Sequence, residues 1–228
     1  MAGSKKKAAQ KSAPTAQPLR QRLVLIVTAQ ADAATQAGVL AAALSGGDVA
    51  SVIITQAGLE ETAFLKTCEA LVPVAQEAGA AAIISGDSRA AGRSGADGIH
   101  LPADPHGVEE AVAKAKGKMI VGADAGKTRD QALDVGEARP DYILIGKLDG
   151  DTHPEPHPRN IELASWWAEI IEIPAIIVAG STVPSAAEAA ATGVEFIALG
   201  QAVFGAADPA EAVRQANALL APPLDAAA

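Results

Sequence analysis

Beyond residue 20 the chain alternates between two patterns. Short apolar runs rich in Val and Ile are each followed by a stretch of good helix formers, many with apolar residues at helical spacing. The runs are Leu23–Thr28, Ala50–Thr55, Ala80–Ser85, Asp97–Leu101, Lys118–Gly122, Asp141–Gly146, Pro174–Ala179 and Glu195–Gly200. They lack polar alternation, which marks strands buried on both faces, as in a parallel sheet. The predicted helices are Asp32–Leu44, Glu60–Gln76, Arg89–Ser94, Gly107–Lys116, Thr128–Glu137, Ile161–Ile171, Ser185–Ala191 and Asp208–Leu220. Thr128 and Asn160 are the expected N-caps of the fifth and sixth, and Pro209 suits a first helical turn.

Strand starts lie 17 to 33 residues apart, room for one strand, one helix and two loops. Eight such units in about 200 residues predict a single-domain α/β fold, a (β/α)8 TIM barrel over residues 21–221. A doubly wound open sheet is the rival. The turn after the first strand, Thr28-Ala-Gln-Ala-Asp32, has no glycine, so the dinucleotide-binding fingerprint is missing.

Charge changes the picture at the N-terminus. The chain of 228 residues carries −9, but its first 19 residues hold Lys5, Lys6, Lys7 and Lys11 and no acid, leaving −13 for the remainder. Residues 1–20 read as a disordered basic tail and 222–228 as a flexible C-terminal tail. An acidic body repels nucleic acid. No apolar run approaches the ~20 residues of a membrane span. A lone cysteine, Cys68, forms no internal disulfide, so a reducing, cytoplasmic setting is expected. Cys68 reads as inert core, while the adjacent Trp166 and Trp167 suit packing on the barrel or on a second copy of the chain in a homo-oligomer.

In such a barrel the chemistry belongs at the C-terminal ends of the strands. There Gly180 and Ser181 after strand seven and Gly200 and Gln201 after strand eight suit phosphate binding through backbone N–H groups; the alternative is that the glycines only permit tight turns. Asp104 is a candidate Mg²⁺ ligand beside a diphosphate. The segment from Lys147 to Arg159 holds three prolines, two histidines and three acids, and reads as a lid or as a solvated loop. A metal set of Asp151, His153, Glu155 and His157 matches no standard spacing. His100 suits either hydrogen-bonded packing or catalysis.

Four motifs then stand in register: Gly-Ala-Asp-Gly-Ile-His-Leu at 95–101, Pro-Asp-Tyr-Ile-Leu-Ile-Gly at 140–146, Ile-Pro-Ala-Ile-Ile-Val-Ala-Gly at 173–180 and Gly-Val-Glu-Phe-Ile-Ala-Leu at 193–199. Over roughly residues 22–220 the chain resembles thiamine phosphate synthase and its paralogue, the thiazole tautomerase. The resemblance implies a (β/α)8 barrel in thiamine biosynthesis. The implied reaction joins an aminopyrimidine methyl diphosphate to a thiazole phosphate and releases pyrophosphate, with Mg²⁺ and basic side chains holding the diphosphate.

The chain departs from that pattern at the diphosphate end. Where the family reads Gln-Leu-Arg-x-Lys, Ile53-Ile-Thr-Gln-Ala57 supplies no cation. Where the family has Asn-Asp, Ser85 and Gly86 stand, with Asp87 one position late; Asp104 is one position early. A serine becomes Asp124, Asp151-Thr-His153 only echoes Thr-x-Thr-Lys, and the first of two glycines becomes Ala179. The resemblance thus nominates Asp87 and Asp104 for the metal, and Lys127 as an additional phosphate-binding cation. Asp124, Lys147, His100 and His153 are the acid–base and catalytic candidates. The alternative is a degenerate paralogue that binds a phosphorylated small molecule or isomerises a thiazole monophosphate.

Overall fold

The computed structural model describes residues 20–149 and 152–220, so the two expected tails (save Arg20) and Asp151 lie outside the described residues. Eight strands pair in chain order, all parallel, and the last returns to the first to close a barrel. They are β1 (Arg22–Thr28), β2 (Val49–Thr55), β3 (Ala81–Ser85), β4 (Gly98–Leu101), β5 (Ile120–Asp124), β6 (Tyr142–Ile145), β7 (Ala175–Val178) and β8 (Phe196–Leu199). The connecting helices are α1 (Ala33–Leu44), α2 (Glu61–Glu77), α3 (Ser88–Ser94), α4 (Pro105–Ala115), α5 (Arg129–Glu137), α6 (Pro158–Ile170) and α7 (Ser185–Ala190). A short α8 (Gln201–Phe204) and the final α9 (Pro209–Leu220) complete the fold. This is the (β/α)8 architecture that the run spacing predicts.

The continuous apolar runs split by parity into two cores. Val24, Ile26, Ile53, Ile83, Leu144, Ile176 and Val178 point inward and fill the barrel. Their neighbours Leu23, Leu25, Ile54, Ile84, Ile143 and Ile177 point outward against the helices, with Phe64, Leu71 and Trp167. Trp167 is buried and its indole N–H donates to the Ile173 carbonyl at 2.8 Å, whereas Trp166 is half-buried under the Arg129 guanidinium, 4.9 Å from its ring centroid.

Three local expectations are corrected, and one helix was not expected. β5 runs two residues later than expected, because Lys116 and Gly117 take positive φ and Lys118 N–H donates to Ala115 O, closing α4 instead of opening the strand. α4 starts earlier, at Pro105, whose fixed φ suits a first turn. The cap of α6 is His157, not Asn160: His157 Nδ1 accepts the Arg159 N–H at 3.2 Å, and Asn160 lies inside the helix. Finally, α8 is too short to leave a periodic trace in the sequence.

The N-terminal rim is held by a repeated device. Asp97, Asp141 and Glu195, each just before a strand, accept a backbone N–H from the preceding strand. Asp97 takes Ala82 N–H (2.8 Å), Asp141 takes Val121 N–H (2.7 Å) and Glu195 takes Ala175 N–H (2.9 Å). These acids link β3 to β4, β5 to β6 and β7 to β8, on the face away from the chemistry.

Candidate active site

The floor of the barrel mouth is polar on one side. His100 of β4 is fully buried; its Nδ1 lies 3.1 Å from the Tyr142 hydroxyl and its Nε2 3.1 Å from Asp124 Oδ1. Tyr142 stacks on the imidazole with rings 16° from parallel. Gly122 makes this possible, since a Cβ there would fall 1.9 Å from the phenol ring. Burial, with the Asp124 and Asp141 charges, pushes the Tyr142 phenol well above its ordinary pKa. It therefore stays protonated and can donate to Nδ1, and in the tautomer that this pairs with, Nε2–H donates to Asp124. Asp124 ends β5 with its side chain about a third exposed, so its carboxylate is oriented from below and open to the mouth.

The β7 and β8 ends form a second group. Ser181, Gly200 and Gln201 line a cleft of about 770 Å³ with Thr28 and Gln30 of the β1 side. Gly180 is buried, and its N–H donates to Ser185 Oγ at 2.9 Å. The loop after β6 lies across this end. Ser181 N–H donates to His153 O at 2.7 Å, and Thr182 Oγ1 to Pro154 O at 2.9 Å. A Cβ on Gly180 would fall 2.2 Å from Pro154 O, so only glycine lets the loop pack so closely.

A third group fills a cleft of about 680 Å³ between β5 and the same loop. Lys127, Lys147, His153, His157, Arg159 and Asn160 line it, with Asp149 and Glu155. Asp149 and Thr152 line both clefts, so the loop after β6 is their shared wall.

The expected residues thus fall into three sets: His100 with Asp124, Ser181 with Gly200 and Gln201, and Lys127 with Lys147 and His153. Lys127 lies apart from the strand-seven and strand-eight group. Asp87 and Asp104 line neither cleft. Asp87 Oδ1 accepts the N–H of Arg89 and Ala90 at the start of α3. Asp104 leans over the first turn of α4, its Oδ2 2.7 Å from where a Gly107 Cβ would be. Each carboxylate is turned onto its own helix, and among the described residues no three His, Cys, Asp or Glu side chains group around a cation position.

Sequence reasoning missed Tyr142 and Arg159. The parity of β6 would have found the first: Tyr142 and Leu144 share the inward face, and Tyr142 is the chain's one tyrosine. Arg159 was hidden as the last residue of an irregular loop.

The model of the thiamine monophosphate synthase family matches residues 23–203, nearly the whole barrel. The chain belongs to this family. A thiamine-phosphate synthase of Hyphomonas neptunium is 35% identical over 213 residues, covering 90% of this chain and 96% of that protein. One of Rhodospirillum centenum is 32% identical over 201 residues, covering 87% and 97%. Among solved structures, thiamine phosphate pyrophosphorylase from Pyrococcus furiosus superposes with a TM-score of 0.73 at 21% identity, covering 89% of this chain and 96% of that one. A 3-hexulose-6-phosphate synthase shares the fold with a TM-score of 0.65 at 19% identity, covering 88% and 100%. Family substrates are phosphorylated small molecules. No helix among the described residues is long and apolar enough to cross a membrane.

Proposed function

We propose that the protein is a thiamine phosphate synthase, joining an aminopyrimidine methyl diphosphate to a thiazole phosphate. The observation that carries the reading is the pair of clefts at the working face, separated by one loop whose Asp149 and Thr152 line both. Two phosphorylated substrates need two neighbouring seats. The β7–β8 cleft suits the monophosphate, held by backbone N–H groups near Ser181, Gly200 and Gln201. Ser181 N–H now serves His153 O, so binding there exchanges that bond for one to phosphate.

In the reaction the bond from the pyrimidine methylene carbon to the diphosphate oxygen breaks, and its electron pair leaves with pyrophosphate. The thiazole nitrogen supplies the pair for the new C–N bond. Positive charge develops on the pyrimidine, and an oriented carboxylate facing the mouth stabilises it. Asp124, fixed by His100, fills that role. Lys147 and His153, which line the cleft beside the loop, offer a cation and a hydrogen-bonding ring to the departing anion.

Family members generally depend on Mg²⁺. Asp87 and Asp104, turned onto their own helices, do not converge on a shared cation position. The free thiol of Cys68, buried in the core and pushed up to about 12 by that burial, suits a reducing cytoplasm. The test is pyrophosphate release by the purified chain with both family substrates and Mg²⁺. Stoichiometric pyrophosphate and thiamine phosphate support the reading; none above background overturns it.

A further inference from the structure

Three large apolar side chains stand exposed among the described residues: Leu133 at 39%, Ile170 at 61% and Leu219 at 41%. Two of them share one place. Arg129, Leu133 and Glu137 follow one another in four-residue steps along α5, so they form a single stripe, each about 6 Å from the next. On α6, Trp166 and Ile170 are spaced in the same way. All strands of the barrel are parallel, so the helices that return from them run side by side in one direction. The Arg129 guanidinium lies 4.9 Å from the Trp166 ring centroid. That contact sets the two at one level, and Leu133 and Ile170 each lie one turn further along.

This face therefore carries a cation and an indole at one end, two bare aliphatic side chains in its centre and Glu137 at the other end. Glu162, one turn before Trp166, and Arg139, two residues past Glu137, continue it outward. Along the common helix direction the order is acid, cation, apolar centre, acid, cation. Turned end over end, that order is complementary to itself. All four charged side chains are exposed, and none has an ion-pair partner among the described residues. Within one copy of the barrel the pattern is unused.

We propose that the α5–α6 face is a two-fold interface between two copies of this chain, with Leu133 and Ile170 at the axis and Arg129 of each copy opposite Glu137 of the other. A two-fold contact brings a patch against itself and so demands this self-complementarity. An apolar centre with tryptophan and arginine, rimmed by charge, is also the composition of such contacts. Helices of 9 and 13 residues, side by side, present roughly 20 Å by 20 Å, or about 400 Å² per copy, the small end of specific interfaces. Asp134 and Glu169 stand beside the apolar centre in both copies and repel. The dimer is therefore a weak one that forms in the micromolar range. Because the face lies on the outer wall of the barrel, the pairing is independent of the synthase reading.

The test is sedimentation velocity of the full chain from about 1 to about 500 µM. A reversible rise toward twice the monomer mass is expected. R129E and E137R should each weaken association by about tenfold or more, since each sets like charges together. R129E/E137R should restore it. An equimolar mixture of the two single variants should associate more tightly than either alone, because only the mixed dimer pairs opposite charges at both positions. I170E should abolish the dimer, and L219E, on α9, should leave it unchanged. Melting curves matching the wild type's show that each variant is folded. A monomer at every concentration overturns the proposal, as does a dimer that ignores R129E, E137R and I170E. A dimer that the single charge reversals weaken, but that neither the double variant nor the mixture restores, overturns the two-fold arrangement. A monomer whose tryptophan emission becomes easier to quench with acrylamide as salt is added gives the face to the chain's own basic residues 1–19, and so overturns the dimer as well.

Discussion

His100 Nε2 stands 3.1 Å from Asp124 Oδ1 beneath the barrel mouth, and the opposite ring nitrogen is held by the Tyr142 hydroxyl. The phenol, as donor, pairs with the tautomer that presents Nε2–H to the carboxylate. Tyr142→Phe leaves Nδ1 buried and unpartnered, which costs about 1–3 kcal/mol. For a chain of this size the melting midpoint should fall by roughly 2–4 °C per kcal/mol. An unchanged midpoint, or an imidazole nitrogen spectrum showing Nδ1–H in the wild type, contradicts this arrangement.

Asp124 is the side chain in this set that reaches solvent, so the chemical consequence of the network should appear there. Asp124→Asn keeps the shape and removes the charge. If the carboxylate stabilises a developing cation, kcat should fall by about 10²–10³, the scale of losing one oriented electrostatic group, with little change in KM. A rate that rises instead, because repulsion of the diphosphate is relieved, removes Asp124 from the role of stabiliser.

How far the sequence revealed the molecule follows from what its motifs turned out to do. Asp97, Asp141 and Glu195 sit inside three of the motifs that carry the family resemblance, and all three serve the N-terminal rim by tying one strand to the next. These acids are scaffold, which explains why strand order and closure were legible, while His100 and Tyr142 of the same motifs, and Gly180 of the fourth, reach the mouth. The rest of the site was less legible. Lys127, Lys147 and Arg159 are separated by 20 and 12 residues and meet only because β5 and β6 are neighbours and the loop folds back. Likewise, Tyr142 reads as one apolar residue in a run until strand parity turns it inward.

The rim acids give a direct check. Asp141→Ala strips Val121 N–H of its acceptor in a partly buried setting, with an expected loss of about 1–3 kcal/mol. Asp141→Asn keeps a carbonyl oxygen in place and should lose less than half as much. Urea titrations of the two variants measure both, and equal losses would mean that the charge rather than the hydrogen bond matters.

Across the same rim, Arg22 meets Asp48 with two contacts of 2.7 and 3.0 Å. The hydrogen bond from Arg22, with its charge, holds the Asp48 carboxyl below its ordinary 3.8. A depressed folded-state pKa gives stability that is present above the unfolded value and lost as pH falls through the folded one. Both side chains are more than a third exposed, so solvent screening limits the pair to about 0.5–1 kcal/mol. Arg22→Met should therefore melt lower than wild type at neutral pH, with the gap closing as pH drops below about 4. A gap that persists in acid would assign it to lost packing of the arginine stem.

Gly180 is where scaffold and site meet. Its backbone runs beneath Pro154, so a methyl group there would stand 2.2 Å from a carbonyl oxygen that belongs to backbone and cannot swing aside. Gly180→Ala must displace the loop, and with it the bonds from Ser181 N–H and Thr182 Oγ1. The barrel strands beneath keep their pairing, so the expected stability loss is modest, about 1–3 kcal/mol as for other overpacked positions. The functional loss should be larger and specific. The loop forms the wall between the two clefts, so its displacement should raise KM for both phosphorylated substrates and open residues 152–157 to proteases. Limited proteolysis with and without the thiazole monophosphate separates the effects. Protection by that ligand in the wild type, absent in Gly180→Ala, ties loop closure to occupancy of the β7–β8 end. Equal cleavage in both proteins shows that the loop is fixed independently of that site.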